Sequence, residues 1–199
     1  MDKKYQIFIS STYKDLKPAR NEVTQTILSM GHFPIGMEMF GASNDEQWKL
    51  ITEAIDTSDY YLVIMGKTFG SEVREEGISY TQKEFRYAKS KNIPILAFII
   101  DDEAEVPKTF IETDIDRIKK LNDFRKELES DRTVVYWKNK YDLAQHVAIS
   151  LEKEMKRCPR PGWQRMPEIF EENNGIKSSN SDAILLPINT GNSIVYPII

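Results

Sequence analysis

Cysteine is nearly absent from this chain. Cys158 is the single one, which excludes an intramolecular disulfide and a cysteine-rich metal site. Histidine is almost as scarce. His32 and His146 are far apart, and His146 falls among core positions of the last helical pattern, so neither a Ser-His-Asp nor a Cys-His device is expected. No apolar run approaches the ~20 residues of a membrane span. Met1-Asp2-Lys3-Lys4 leads straight into a core strand without a secretory apolar segment, so a cytoplasmic protein with no membrane partner is expected. Basic residues are not in excess: 27 Lys and Arg stand against 31 Asp and Glu, a net charge of −4, so nothing points to duplex nucleic acid. The 9 glycines form no phosphate-binding fingerprint.

What remains is the composition of an ordinary globular protein. Of 199 residues, 40% are hydrophobic and 29% charged, enough to bury one α/β core and leave a tail. Ile7, Phe8 and Ile9 have the β-branched and aromatic character of a strand covered on both faces. Ser10-Ser11-Thr12 then forms a turn into a helix expected over 15–30, with Leu16, Ala19, Val23, Ile27 and Met30 on one stripe, Asp15 as N-cap and Gly31 as terminator. Phe33 to Met37 reads as a short edge strand, and Asn44 with Gln47 as a capping box for a helix burying Trp48, Ile51 and Ile55. Tyr60 to Met65 is the most strand-like run. After it, Lys67 to Ile78 carries no periodicity, and a loop of that length points to binding.

Ser79 and Gln82 form a second capping box, for a helix reaching about Lys91, with Gln82, Arg86 and Lys89 on its solvated side. Pro94 to Ile100 is a buried strand, and Asp101 to Glu105 reads as a solvated acidic loop with no metal expected. Ile115, Ile118, Leu121, Phe124 and Leu128 mark the next helix, Thr133 to Trp137 the last strand, and Leu143, Val147, Leu151 and Met155 the last helix. Strands alternating with helices predict a parallel, doubly wound, flavodoxin-like five-stranded sheet of order 2-1-3-4-5 over residues 1–157. Residues 158–199 read as a Pro/polar linker and an apolar tail, a possible hairpin docked on the domain or on a partner.

In such a sheet the ligand crevice lies beyond the carboxyl ends of the strands, at the switch point between the first and third. That gathers Ser10 to Tyr13, Gly66, Lys67, Ser79 and Tyr80, with Glu38 and Phe40 alongside. Lys67 and Arg74 are candidates to neutralise a diphosphate. Glu84, in the second turn of the third helix, projects between its apolar stripe and the face bearing Tyr80 and Tyr87, where a carboxylate can be partly desolvated. From spacing alone it can equally be a solvated helix carboxylate, and the hydroxyl turn can equally be a helix cap.

The stretch Phe8-Ile9-Ser10-Ser11-Thr12-Tyr13-Lys14-Asp15-Leu16 resembles the opening signature, F-[IV]-S-S-T-x-x-D-[LM], of a TIR-like domain family. Gly31-His32-Phe33-Pro34, Met37-Glu38, Asp59 to Gly66, Phe69-Gly70 and Gly77 to Thr81 with Glu84-Phe85 fit it as well, so the likeness runs over roughly residues 4–156. The wider resemblance is to TIR and nucleoside deoxyribosyltransferase-like domains, whose enzymes carry a glutamate on the helix after the third strand. It implies Glu84 as the catalytic residue. It also implies substrate contacts from Phe8, Ser10, Ser11, Thr12, Tyr13, Glu38, Phe40, Gly66, Lys67, Ser79 and Tyr80, with Tyr80, Tyr87 or Phe40 stacking the base. The substrate implied is NAD+ or a related nucleotide, with no further cofactor, in bacterial antiviral defence or cell-death signalling through self-association or a partner effector. Thr81-Gln82-Lys83 departs from the Cys or Trp common just before the TIR glutamate. Two alternatives stay open: a non-catalytic assembly module, and nucleoside base exchange.

Overall fold

The computed structural model describes residues 3–36 and 44–164. Its centre is an all-parallel sheet in the order β2-β1-β3-β6-β7. The strands are β1 (Gln6–Ser11), β2 (Phe33–Gly36), β3 (Tyr60–Met65), β6 (Ile95–Ile100) and β7 (Val135–Trp137). This is the expected 2-1-3-4-5 winding. The numbering shifts because the stretch after β3, aperiodic in sequence, holds a two-strand antiparallel ribbon, β4 (Glu72–Val73) and β5 (Ile78–Ser79).

Strand alternation divides the core in two. Ile7, Ile9, Tyr60, Leu62, Ile64, Phe98 and Ile100 face helices α1 (Lys17–Ser29) and α5 (Lys140–Arg157), meeting Val23, Ile27, Leu143, Val147 and Leu151. Phe8, Tyr61, Val63, Met65, Ala97 and Ile99 face α2 (Asn44–Asp56), α3 (Tyr80–Ser90) and α4 (Ile115–Asp131), meeting Ile51, Ile55, Phe85, Phe124 and Leu128. The three central strands are covered on both sides, which is why they read as unbroken apolar runs.

Three local expectations are corrected. Helix α1 is capped by Leu16 without a side-chain bond, because Asp15 turns toward the end of β3 instead: its Oδ2 lies 2.8 Å from where a Cβ on Gly66 would stand. Ile115 is 83% exposed while Phe124 and Leu128 are buried, so the N-terminal end of α4 overhangs the sheet that its later turns cover. Gln82 is buried rather than solvated, since its amide donates to Glu127 of α4 (2.7 Å).

The N-terminal pole of the sheet is closed by residues 158–163. Lys4 and Trp163 exchange backbone hydrogen bonds (2.9 and 2.6 Å), the Tyr60 hydroxyl donates to the Cys158 carbonyl (2.8 Å), and the Gly162 N–H donates to Asp59 Oδ1 (3.1 Å). Asp59 Oδ2 accepts from the Gln6 N–H (2.9 Å). His32 Nδ1 accepts from the Tyr5 N–H (3.3 Å), and burial, reinforced by Lys4, holds this imidazole below its usual pKa.

Candidate functional site

The carboxyl ends of β1 and β3 open into a crevice of about 680 Å3. Ser11, Thr12, Tyr13, Lys14 and Asp15 form one wall, and Thr68, Gly70 and Ser71 another. Tyr80 and Thr81 bring in the start of α3, and Thr109 to Thr113 with Arg117 close the far side. Gly70 has φ +78°, and a Cβ there would stand 2.5 Å from Thr12 Cγ2, so the β3 loop folds tightly against the β1 turn because that residue is glycine.

The pleat of β1 separates its two serines. Ser11 points toward α1, where its Oγ accepts from Arg20 Nη1 (2.8 Å) and donates to the Thr12 carbonyl (2.7 Å). Ser10 points toward α3 and donates to Glu84 Oε2 (2.5 Å). Ser79 is the N-cap of α3, accepting from the Gln82 N–H (3.1 Å), and this fixes the rotation of the helix that aims Glu84 at the strand. Glu84 is 1% exposed. It stands one helical turn behind Tyr80 and Thr81 and touches Ser10 directly, so no open space separates the two. Burial pushes its carboxyl up to about 7, partly offset by the Ser10 hydrogen bond and the Arg20 charge. Near neutral pH the group can therefore exist in either form. Its second oxygen, Oε1, is buried without a hydrogen-bond partner.

Other expected site residues fall in several places. Tyr13 is half exposed at the crevice, and Tyr80 lines it. Phe8 lies wholly inside, stacked on Tyr61 (ring centroids 5.6 Å, 5° between planes), and does not line the crevice. Gly66 and Lys67 line a separate pocket of about 280 Å3 between the ends of β3 and β6. The Lys67 ammonium donates to the carbonyls of Asp102 and Ala104 (2.9 Å each) and ties two loops together there. Tyr87 turns to α2, bonding Asp56 and meeting Trp48 edge-on, and Arg74 is exposed outside the crevice. Glu38 and Phe40 lie outside the described residues, as does the expected hairpin in the tail.

Of the four charged residues that line the crevice, Lys14, Asp15, Glu112 and Arg117, the last two pair with each other. Arg117 donates to Glu112 (3.0 Å) and to the Gly70 carbonyl (2.6 Å), with its guanidinium 5.3 Å above the Phe69 ring. Burial pushes the Glu112 carboxyl up, but the Phe69 N–H and Arg117 outweigh it and hold the group below its usual value. Two contributors were not among the expected site residues. Arg20, 3% exposed, reaches the Ile9 carbonyl and Ser11, and Tyr61 faces Ser10 and Glu84 from β3. Arg20 stands one helical turn beyond the opening motif, so its sequence signal was present. Tyr61 is hidden in a strand of apolar neighbours.

Residues 6–152 match the profile of a family described as a domain of unknown function, DUF4062. No curated protein sequence matches the chain. Among solved structures, the TIR domain heterodimer of RPS4 and RRS1 aligns with a TM-score of 0.50 at 9% identity, over 74% of this chain and 96% of that one. The TIR domains of the activated Roq1 resistosome, which directly recognises the pathogen effector XopQ, align at 0.48 and 13% identity, over 75% and 99%. A prokaryotic SEFIR domain aligns at 0.37 and 18% identity, over 64% and 97%. At these identities the likeness to the first describes the fold: a TIR-like α/β domain.

Proposed function

Because the chain belongs to the DUF4062 family and has a TIR-like fold, we propose that it cleaves the N-glycosidic bond of NAD+ or a related nucleotide, with Glu84 as the reacting carboxylate. One observation carries this reading. A glutamate on the helix after β3 is buried, raised toward neutrality and hydrogen-bonded to the end of β1, directly behind the crevice at the sheet's switch point. Nicotinamide departs from NAD+ as a neutral molecule, so its departure needs no acid. One carboxylate is then enough to stabilise the oxocarbenium-like sugar, where an ordinary glycosidase uses two. Breakage of the C–N bond sends the electron pair to nicotinamide, and water supplies the hydroxyl of the ADP-ribose product and releases its proton to solvent.

The crevice suits the sugar better than the diphosphate. Its walls are rich in hydroxyl residues, and of its two cations Arg117 is committed to protein partners, which leaves the exposed Lys14 for a phosphate. Glu84 meets substrate after the Ser10 contact gives way and the floor formed by Tyr80 and Thr81 moves aside. Self-association, in a defence or cell-death setting, is the proposed occasion for that opening.

Full-length protein incubated with NAD+, with nicotinamide and ADP-ribose quantified, tests the reading. Glu84→Gln should lower release by at least about 100-fold, and equal release from the variant removes Glu84 from the mechanism. The burial of Glu84 also favours a second reading, a non-catalytic assembly module in which the Ser10–Glu84 bond only fastens α3 to the sheet. In that case assembly and biological output survive Glu84→Gln.

A further inference from the structure

Tyr61 is an odd choice for its place. It is the second residue of β3, wholly buried, and the parallel register sets it beside Phe8, against which its ring stacks. A phenylalanine would pack the same ring. The hydroxyl of Tyr61 instead lies buried beside Ser10 without a well-aligned hydrogen bond, an arrangement that carries a desolvation penalty. The side-chain alternation that puts Phe8 and Ser10 on one face of the sheet puts Tyr61 on that same face, under α3. The phenol therefore faces the Ser10–Glu84 pair, and the other unpartnered atom of this cluster is Glu84 Oε1.

Both vacant valences have one explanation. A protonated carboxyl is adequately served by a single contact at Oε2, whereas a carboxylate in a dry site requires donors on both oxygens. Ser10 supplies one of them. Tyr61 brings a further neutral O–H against this pair, and burial followed by the Glu84 charge pushes its pKa well above the usual value, so it keeps its proton at every working pH. The remaining charged groups acting here are Arg20 from α1 and Arg132 at the end of α4.

We propose that Tyr61 is a positioning residue for Glu84: its hydroxyl donates to Oε1 when the carboxyl ionises, fixing the orientation in which the carboxylate meets the sugar. The catalytic half of this statement rests on the hydrolase reading above. The hydrogen-bonding half does not.

The test uses full-length protein and Tyr61→Phe, which keeps the stacked ring. The urea midpoint is followed from pH 5 to 9 for both proteins, each referenced to its own Glu84→Gln partner so that only Glu84's titration remains. Loss of the phenol should move the Glu84 titration upward by about one pH unit. The pH–rate profile of nicotinamide release should move with it, with a fall in kcat at nearly unchanged KM. A Glu84 titration at the same pH in both proteins overturns the proposal, because a purely packing role would leave it there. Since the titration needs no turnover, a shifted titration without nicotinamide release supports Tyr61's bond while counting against the hydrolase.

Discussion

The two poles of the sheet treat buried polar groups in opposite ways. At the N-terminal pole, Asp59 uses both oxygens, on Gln6 and Gly162, and the Tyr60 hydroxyl meets Cys158. Gln6 spreads its amide over Thr57, Ser58 and Ala54. Around the crevice at the other pole, Thr12 Oγ1, Asp15 Oδ2, Tyr61 Oη and Glu84 Oε1 are all buried with no partner among the described residues. A buried polar atom left unpaired costs about 1–3 kcal/mol, so the second pole gives up stability that the first retains. Four such atoms stand at this end against Arg160 Nε at the first pole, a concentration in keeping with the binding end proposed above.

The sharpest way to break this contrast is at Asp59. Asp59→Ala strands two backbone donors, one of them on β1, and should lower unfolding free energy by about 2–4 kcal/mol in urea titration. Where the variant is folded, the crevice should behave as before.

Glu84 should respond in the other direction. Its folded pKa of about 7 lies above the usual glutamate value of 4.5, so the folded state holds the proton more tightly than the unfolded chain. The native protein is thus at its best below about pH 4.5 as far as this group is concerned, and loses stability as pH rises through about 7. Glu84→Gln removes that loss. At pH 8 it should be more stable than wild type by about 2–3 kcal/mol, with the difference shrinking toward pH 5. A variant less stable than wild type at pH 8 would show that the carboxylate is better served than its surroundings suggest.

The smallest effect belongs to Thr12. Its hydroxyl has no partner, so the near-isosteric Thr12→Val should be neutral or stabilising by up to about 1 kcal/mol in thermal unfolding. A clear loss would mean that this hydroxyl is satisfied, and would blur the difference between the poles.

The sheet was legible because its central strands are covered on both faces and so announce themselves as apolar runs, Tyr60 to Met65 most clearly. The Ser79 cap was legible because a cap is local, its donor lying three residues away. Long-range pairings were not. Nothing near Lys67 says that its ammonium will find carbonyls 35 and 37 residues downstream. Gln82 looks solvated until α4 presents Glu127, and Tyr61 looks like one more core aromatic until β1 lays Ser10 across its face of the sheet. Helical periodicity marked Ile115 as a core position, but it does not record where a helix outruns the sheet beneath it.

The Lys4–Trp163 pair has one further consequence, for how this domain can be used as a part. The chain enters at residue 4 and leaves at residue 163 side by side, on the pole away from the crevice. A unit with adjacent junctions can be spliced into a surface loop of a host protein without prying the host apart, and its working end then points outward. The same adjacency lets a short link join the two ends and a new opening be cut in an exposed loop. That makes the domain a cassette, suited to insertion or to circular permutation.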